Sequence, residues 1–138
     1  DLRSVFDLTE RKNLNDFVKT TKRFSISKET IHLAKRLGLP PPSVLSSVKI
    51  LHENLFNPNW RALPQQFDVP ANSQVFGKLL RDAGFEAVLY PSTKGPKRCL
   101  AVFVENFENS SSKIELCDRY PSEVRTPVLS SETFLRLA

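Results

Sequence analysis

Apolar positions along this chain change their spacing near Gly84, from gaps of three and four to near-continuous or alternating runs. That change predicts helices early and strands late. The first apolar run, Val5-Phe6-Asp7-Leu8-Thr9, is short and closed by turn formers, so it reads as a strand. Residues 10–27 are polar and basic, yet Leu14, Phe17 and Val18 share a helical face, which predicts a partly helical segment. Ser27 then caps a helix opening at Lys28, with Glu29 in the first turn, where negative charge suits the dipole. Ile31, Ala34 and Leu37 follow at helical spacing before Gly38, and Pro40, Pro41 and Pro42 bar continuation. A second periodic segment starts at Ser43, and Val44, Val48, Leu51 and Leu55 carry it to about Asn54.

Asn57 to Pro70, rich in Pro, Asn and Gln around a lone Trp60, reads as an ordered loop. Asn72 or Ser73 opens the most amphipathic segment of the chain. Val75, Phe76, Leu79, Leu80 and Ala83 form one stripe, Lys78, Arg81 and Asp82 lie off it, and Gly84 ends it. Phe85 to Tyr90 is a strand interrupted only by Glu86, and Pro91 to Lys97 is the loop that leaves it. Cys99 to Val104 is apolar on both faces, which predicts a central strand covered on each side. Lys113 to Cys117 alternates, as a strand with one wet face does. A turn over residues 118–127 leads to Ser130 or Ser131, expected to cap a last helix through Leu137. The fold class is α+β, in one domain spanning residues 1–138.

Length and composition agree with that reading. The chain has 138 residues and 15.7 kDa, with 40% hydrophobic and 25% charged residues, as a soluble globular domain does. No apolar run approaches the ~20 residues of a membrane span. The chain shows no basic-then-apolar leader and begins at Asp1, so it reads as a mature or excised piece located in the cytoplasm. Cys99 and Cys117 fit no zinc spacing and read as buried strand residues, so no metal site is expected. Asn109-Ser110-Ser111 spells a glycosylation triplet with nothing else to support secretion.

Charge adds a local feature. The net charge is +5, but residues 11–36 hold eight bases against Asp16 and Glu29. That segment is suited to attract phosphates, of nucleic acid or of a nucleotide. Within it and just beyond, residues 28–55 offer two helices around Gly38 that resemble a helix-turn-helix. The DNA-binding alternative places Ser46, Ser47, Lys49 and His52 on its reading helix. A non-catalytic interaction domain is the other alternative.

Two places carry candidate binding chemistry. The Pro91–Arg98 loop offers the Ser92 and Thr93 hydroxyls with Lys94, Lys97 and Arg98, a set that suits a phosphate-bearing ligand. Asn72-Ser73-Gln74 opens a helix, whose unpaired amides attract anions or are simply capped. The sequence holds no serine–histidine–aspartate order, phosphate-loop motif or dinucleotide glycine signature. His32 and His52 fall on helices, away from any catalytic pattern.

Taken in order, several segments resemble the C-terminal part of a RES domain. They are Val5-Phe6-Asp7-Leu8-Thr9, Leu37-Gly38-Leu39, Trp60, and Pro70-Ala71-Asn72-Ser73-Gln74-Val75-Phe76-Gly77. The series continues with Ala83-Gly84-Phe85-Glu86-Ala87-Val88-Leu89-Tyr90-Pro91-Ser92 and ends with Leu100-Ala101-Val102-Phe103. Residues 60–118 are the most RES-like, whereas residues 10–56 are helical and their basic part, 10–36, reads as an insertion. The resemblance implies a mixed sheet flanked by helices, similar to ADP-ribosyltransferases. It also implies a bacterial toxin that breaks the nicotinamide–ribose bond of NAD by hydrolysis or phosphorolysis, with a helix-turn-helix antitoxin as partner. NAD is then the substrate, and no bound cofactor or metal is expected. Ser92 matches the serine of the family's Pro-Ser segment and is expected to hydrogen-bond the nicotinamide-ribose end. Asn72, Ser73 and Gln74 match the region lining the same cleft. Thr93 and Lys94 join it by position, Lys94 toward the pyrophosphate on grounds of charge. The family's arginine, tyrosine and glutamate lie in an N-terminal half that finds no match in this sequence, so the piece alone is expected not to consume NAD.

Overall fold

Leu14, Phe17 and Val18 are all buried, and their shared face is what holds helix α1, Arg11–Thr21. The computed structural model describes residues 1–42, 47–56, 68–92, 94–108, 110–117 and 121–134. The chain divides into a contiguous unit, Glu10–Leu79, and a discontinuous one, Asp1–Thr9 with Leu80–Ala138.

The contiguous unit is helical. Helix α2, Lys28–Arg36, starts as its cap predicts: the Ser27 hydroxyl accepts the N–H of Thr30 at 3.1 Å. The backbone N–H of Glu29, then the Ser27 hydroxyl, hold the Glu29 carboxyl below its ordinary value. At the other end Gly38 takes φ +68°, its N–H reaches the Lys35 carbonyl, and the Leu39 N–H reaches that of Ala34. These two bonds are a Schellman closure, which needs the left-handed residue glycine supplies. Ser27→Ala is expected to lower stability by about 1 kcal/mol, read as faster amide exchange at Thr30 and Ile31.

Helix α3 spans Val48–Leu55. Ser47 is its cap, in extended backbone, and its hydroxyl accepts the N–H of Ile50 at 3.2 Å. The expected start at Ser43 and Val44 lies outside the described residues, as does the loop around Trp60. Helix α4 spans Asn72–Asp82, with Val75, Phe76 and Leu80 buried, and the boundary between the units falls within it. The Phe17 and Phe76 rings, 4.8 Å apart and tilted by 57°, join α1 to α4. Ala83 is exposed: α4 ends at Asp82, one residue before it, and Gly84 follows at φ +83°.

The discontinuous unit is built on a three-stranded sheet. Strands β1 (Val5–Asp7), β2 (Ala87–Pro91) and β3 (Arg98–Val102) lie in the order β1-β2-β3. β1 runs parallel to β2, with Phe6 beside Val88, and β2 runs antiparallel to β3, with Leu89 beside Leu100. The class is therefore α+β with a mixed sheet. The Phe6 and Phe85 rings meet edge to face at 5.5 Å. A 3-10 turn, Val104–Phe107, follows β3 and buries Phe107 completely.

Three expectations are corrected here. β2, not the Cys99 strand, is central: among the described residues β3 pairs on one side only, and its Leu100 is 42% exposed. An apolar run records which side chains tolerate burial, not which strand gains two neighbours. Secondly, Cys99 is half-buried and Cys117 is exposed, both as free thiols. Cys117 lies past the end of β4 (Lys113–Glu115), so the alternating run stops two residues early. Finally, β4 pairs antiparallel with an unexpected strand β5, Val128–Ser130, just before helix α5, Ser131–Phe134. The expected continuation of that helix to Leu137 lies outside the described residues. Among the described residues no helix is long and apolar enough to cross a membrane.

Candidate functional site

The turn between β2 and β3 is fixed by its own serine. The Ser92 N–H donates to the Lys97 carbonyl at 2.8 Å, and the Ser92 hydroxyl oxygen accepts the Lys94 N–H at 3.1 Å. This is the local side-chain-to-backbone bond that serine offers in turns. It uses the oxygen as acceptor and leaves the hydroxyl proton to donate. Ser92 is half-buried, while Lys94, Lys97 and Arg98 around it are exposed. A fixed hydroxyl beside three cations is suited to a neutral acceptor next to an anionic group. Thr93, the remaining member of the expected set, lies outside the described residues.

Asn72, Ser73 and Gln74 share the start of α4, in the contiguous unit, whereas Ser92 and Lys94 share their turn in the discontinuous one. The Gln74 side-chain carbonyl accepts the Ala71 N–H at 2.7 Å, while the Ala71 carbonyl accepts the N–H groups of Gln74 and Val75. That is the reciprocal half of a capping box, with Gln at its third helical position. The Asn72 amide donates to the Asn54 side-chain oxygen at 2.8 Å, tying α4 to the last turn of α3. Both residues thus hold the helix start in place, and Ser73 beside them is exposed.

A residue not singled out as a site candidate is the most heavily bonded in the discontinuous unit. Glu86 is 3% exposed, and its carboxylate accepts four hydrogen bonds. The donors are the Arg3 N–H at 2.6 Å, the Ser4 N–H at 3.4 Å, the Ser110 hydroxyl at 2.6 Å and the Ser112 hydroxyl at 2.8 Å. Burial is the largest single influence and pushes the carboxyl up. The four donors, Ser110 foremost, together outweigh it and hold the carboxyl below its ordinary value. Glu86 borders an open hollow of about 460 Å³ that Arg3, Glu105, Asn106 and Glu108 also line. Across its rim the Asn106 amide donates to the carbonyls of Arg81 and Phe85, at 2.7 and 2.6 Å. With its lone pairs taken up by donors, Glu86 is a clasp rather than a proton acceptor. One signal was present in the sequence: a single carboxylate inside an apolar strand run.

Residues 28–55, the span of the two-helix alternative, hold α2 and α3. Residues 37–47 separate α2 from α3, whereas a helix-turn-helix uses a turn of 3–4 residues. Of the side chains placed on the reading helix, Ser47 caps α3, Lys49 faces Glu53 at 3.9 Å, and the His52 ring lies 4.5 Å from that of Phe56. Ser46 lies outside the described residues.

The family model described as RES domain covers residues 11–122, a stretch that includes the α4 start, the Ser92 turn and the basic segment once read as an insertion. No curated protein and no solved structure matches the chain.

Proposed function

The chain belongs to the RES domain family, and from that premise we propose that it forms part of a site that cleaves the nicotinamide–ribose bond of NAD. The acceptor is water or phosphate, and the setting is a bacterial toxin restrained by a helix-turn-helix antitoxin. Breaking that bond develops positive charge on the ribose, so the work of a site is to orient the sugar and the departing nicotinamide. Ser92 suits the orienting role. Its oxygen is held by the Lys94 N–H, so its proton has a defined direction in which to meet an acceptor on the nicotinamide-ribose end. Lys94 supplies charge for the pyrophosphate. Thr93 joins them by its place in the sequence, next to Ser92. The observation that carries this reading is the family match running through the Pro91-Ser92 turn.

The test is a titration of the 138-residue chain with NAD and with ADP-ribose, followed by amide resonances. Shifts are expected at Ser92 and Lys94, and Ser92→Ala is expected to weaken ADP-ribose binding about tenfold, the value of one well-made hydrogen bond. Resonances near Ser92 that stay in place at saturating NAD would overturn the proposal. NAD loss with the 138-residue chain alone is expected to stay at background.

A further inference from the structure

Helix α1 carries a charge pattern that the NAD reading does not use. Arg11, Lys12, Asn15, Lys19 and Lys22 are all exposed. At 3.6 residues per turn they fall within an arc of ~100°. Lys22, at the helix C-cap, still has helical backbone, and exposed Arg23 follows it. The buried face of Leu14, Phe17 and Val18 adjoins this arc on one side, its centre ~120° around the helix. Lys19 is held by Asp16 at 3.6 Å, while Arg11, Lys12, Lys22 and Arg23 have no ion pair among the described residues. The surrounding unit, Glu10–Leu79, holds eleven bases and five acids.

The bases are grouped, not evenly spread. Arg11 and Lys12 sit in the first turn, and Lys22 and Arg23 at the far end. The pairs are roughly 16 Å apart along the axis at 1.5 Å per residue. Only polar Asn15 and the paired Lys19 lie between them on this arc. We propose that this strip of α1 is a docking surface for duplex DNA, the helix lying across the major groove with one basic pair on each phosphate backbone. That groove is about 12 Å wide, and long basic side chains cover the remaining span. Between Arg11 and Arg23 the strip offers no exposed apolar or aromatic side chain, the anchor on which protein partners depend, and the exposed Phe24 lies just past its end. It offers what phosphate contacts need, which position a protein on the duplex without reading its sequence. The surface is distinct from the Ser92 turn, so its failure and that of the NAD reading are measured separately.

Fluorescence anisotropy of a labelled 20-base-pair DNA duplex with the 138-residue chain tests this. With four to five phosphate contacts, affinity is expected to fall about 10²- to 10³-fold between 50 and 200 mM salt. Each paired reversal, Arg11→Glu with Lys12→Glu or Lys22→Glu with Arg23→Glu, is expected to weaken binding by at least about tenfold. All four sites are exposed, and an unchanged far-UV spectrum confirms that each variant folds. Lys49→Glu, off the strip, is expected to change affinity little. Binding unaffected by both reversals would overturn the proposal. So would equal affinity for an RNA duplex, whose narrow major groove α1 cannot span, or for polyglutamate at the same salt, which would point to an acidic protein instead.

Discussion

Glu86→Ala is expected to lower the unfolding free energy of the discontinuous unit by about 3 to 4 kcal/mol, because hydrogen bonds to a charged acceptor are worth more than neutral ones. The substitution strands several donors at once. Ser112 is 2% exposed and would lose its hydroxyl's acceptor, and the Arg3 and Ser4 N–H groups would lose theirs. The measurement is hydrogen exchange at Ala87 and Val88, the buried positions of the central strand, which report this unit alone. A loss below about 1 kcal/mol, the scale of a single ordinary hydrogen bond, would show that water replaces the carboxylate at little cost. The pH dependence follows from the same geometry. The folded carboxyl titrates below its ordinary value of 4.5, so its stabilisation is complete above that value and is lost as pH falls through the lower folded one. Glu86→Gln keeps the shape and is expected to flatten this acid limb while remaining more stable than the alanine variant.

Phe107→Ala is expected to cost about 3 to 5 kcal/mol, the range for truncating a fully buried aromatic side chain. Its ring is completely enclosed, so the cavity left behind opens beneath the 3-10 turn. Denaturant unfolding with an unchanged slope checks it, since a changed slope would mean that the native state had loosened instead. The two sites are coupled. The Phe107 carbonyl accepts the Ser110 N–H at 2.9 Å, and the Ser110 hydroxyl is one of the four donors to Glu86. The double variant is therefore expected to lose less than the sum of the two single losses.

What could be read from the sequence was mostly local. Ser27 and Gly38 name both ends of α2 because a cap and a left-handed closure depend on one residue each. Leu14, Phe17 and Val18 likewise declare the face of α1 even in a basic segment. What could not be read depends on distant partners. Whether the Phe85 run or the Cys99 run is central rests on β1, which precedes both by about eighty residues in the sequence. Strand β5 has three residues, too few for any periodicity, and exists because β4 pairs with it. Glu86 was visible as an interruption, but its donors come from residues 3, 4, 110 and 112, and no local pattern announces them. At the candidate site the Pro-Ser turn was legible from family resemblance, whereas the capping work of Gln74 and the tie from Asn72 to Asn54 needed coordinates.

The parallel pairing of β1 with β2 has a consequence for the order in which the protein is made. Val5 emerges from the ribosome long before its neighbour Ala87 exists, and the acceptor for the Arg3 and Ser4 N–H groups is made at residue 86. The helical unit needs only residues 10–79, so it is free to settle first, while the opening segment waits for a strand not yet synthesised. During that interval Phe6, buried in the folded sheet, lacks its neighbour Val88, and an unpaired apolar segment of this kind is what aggregation and chaperones act on.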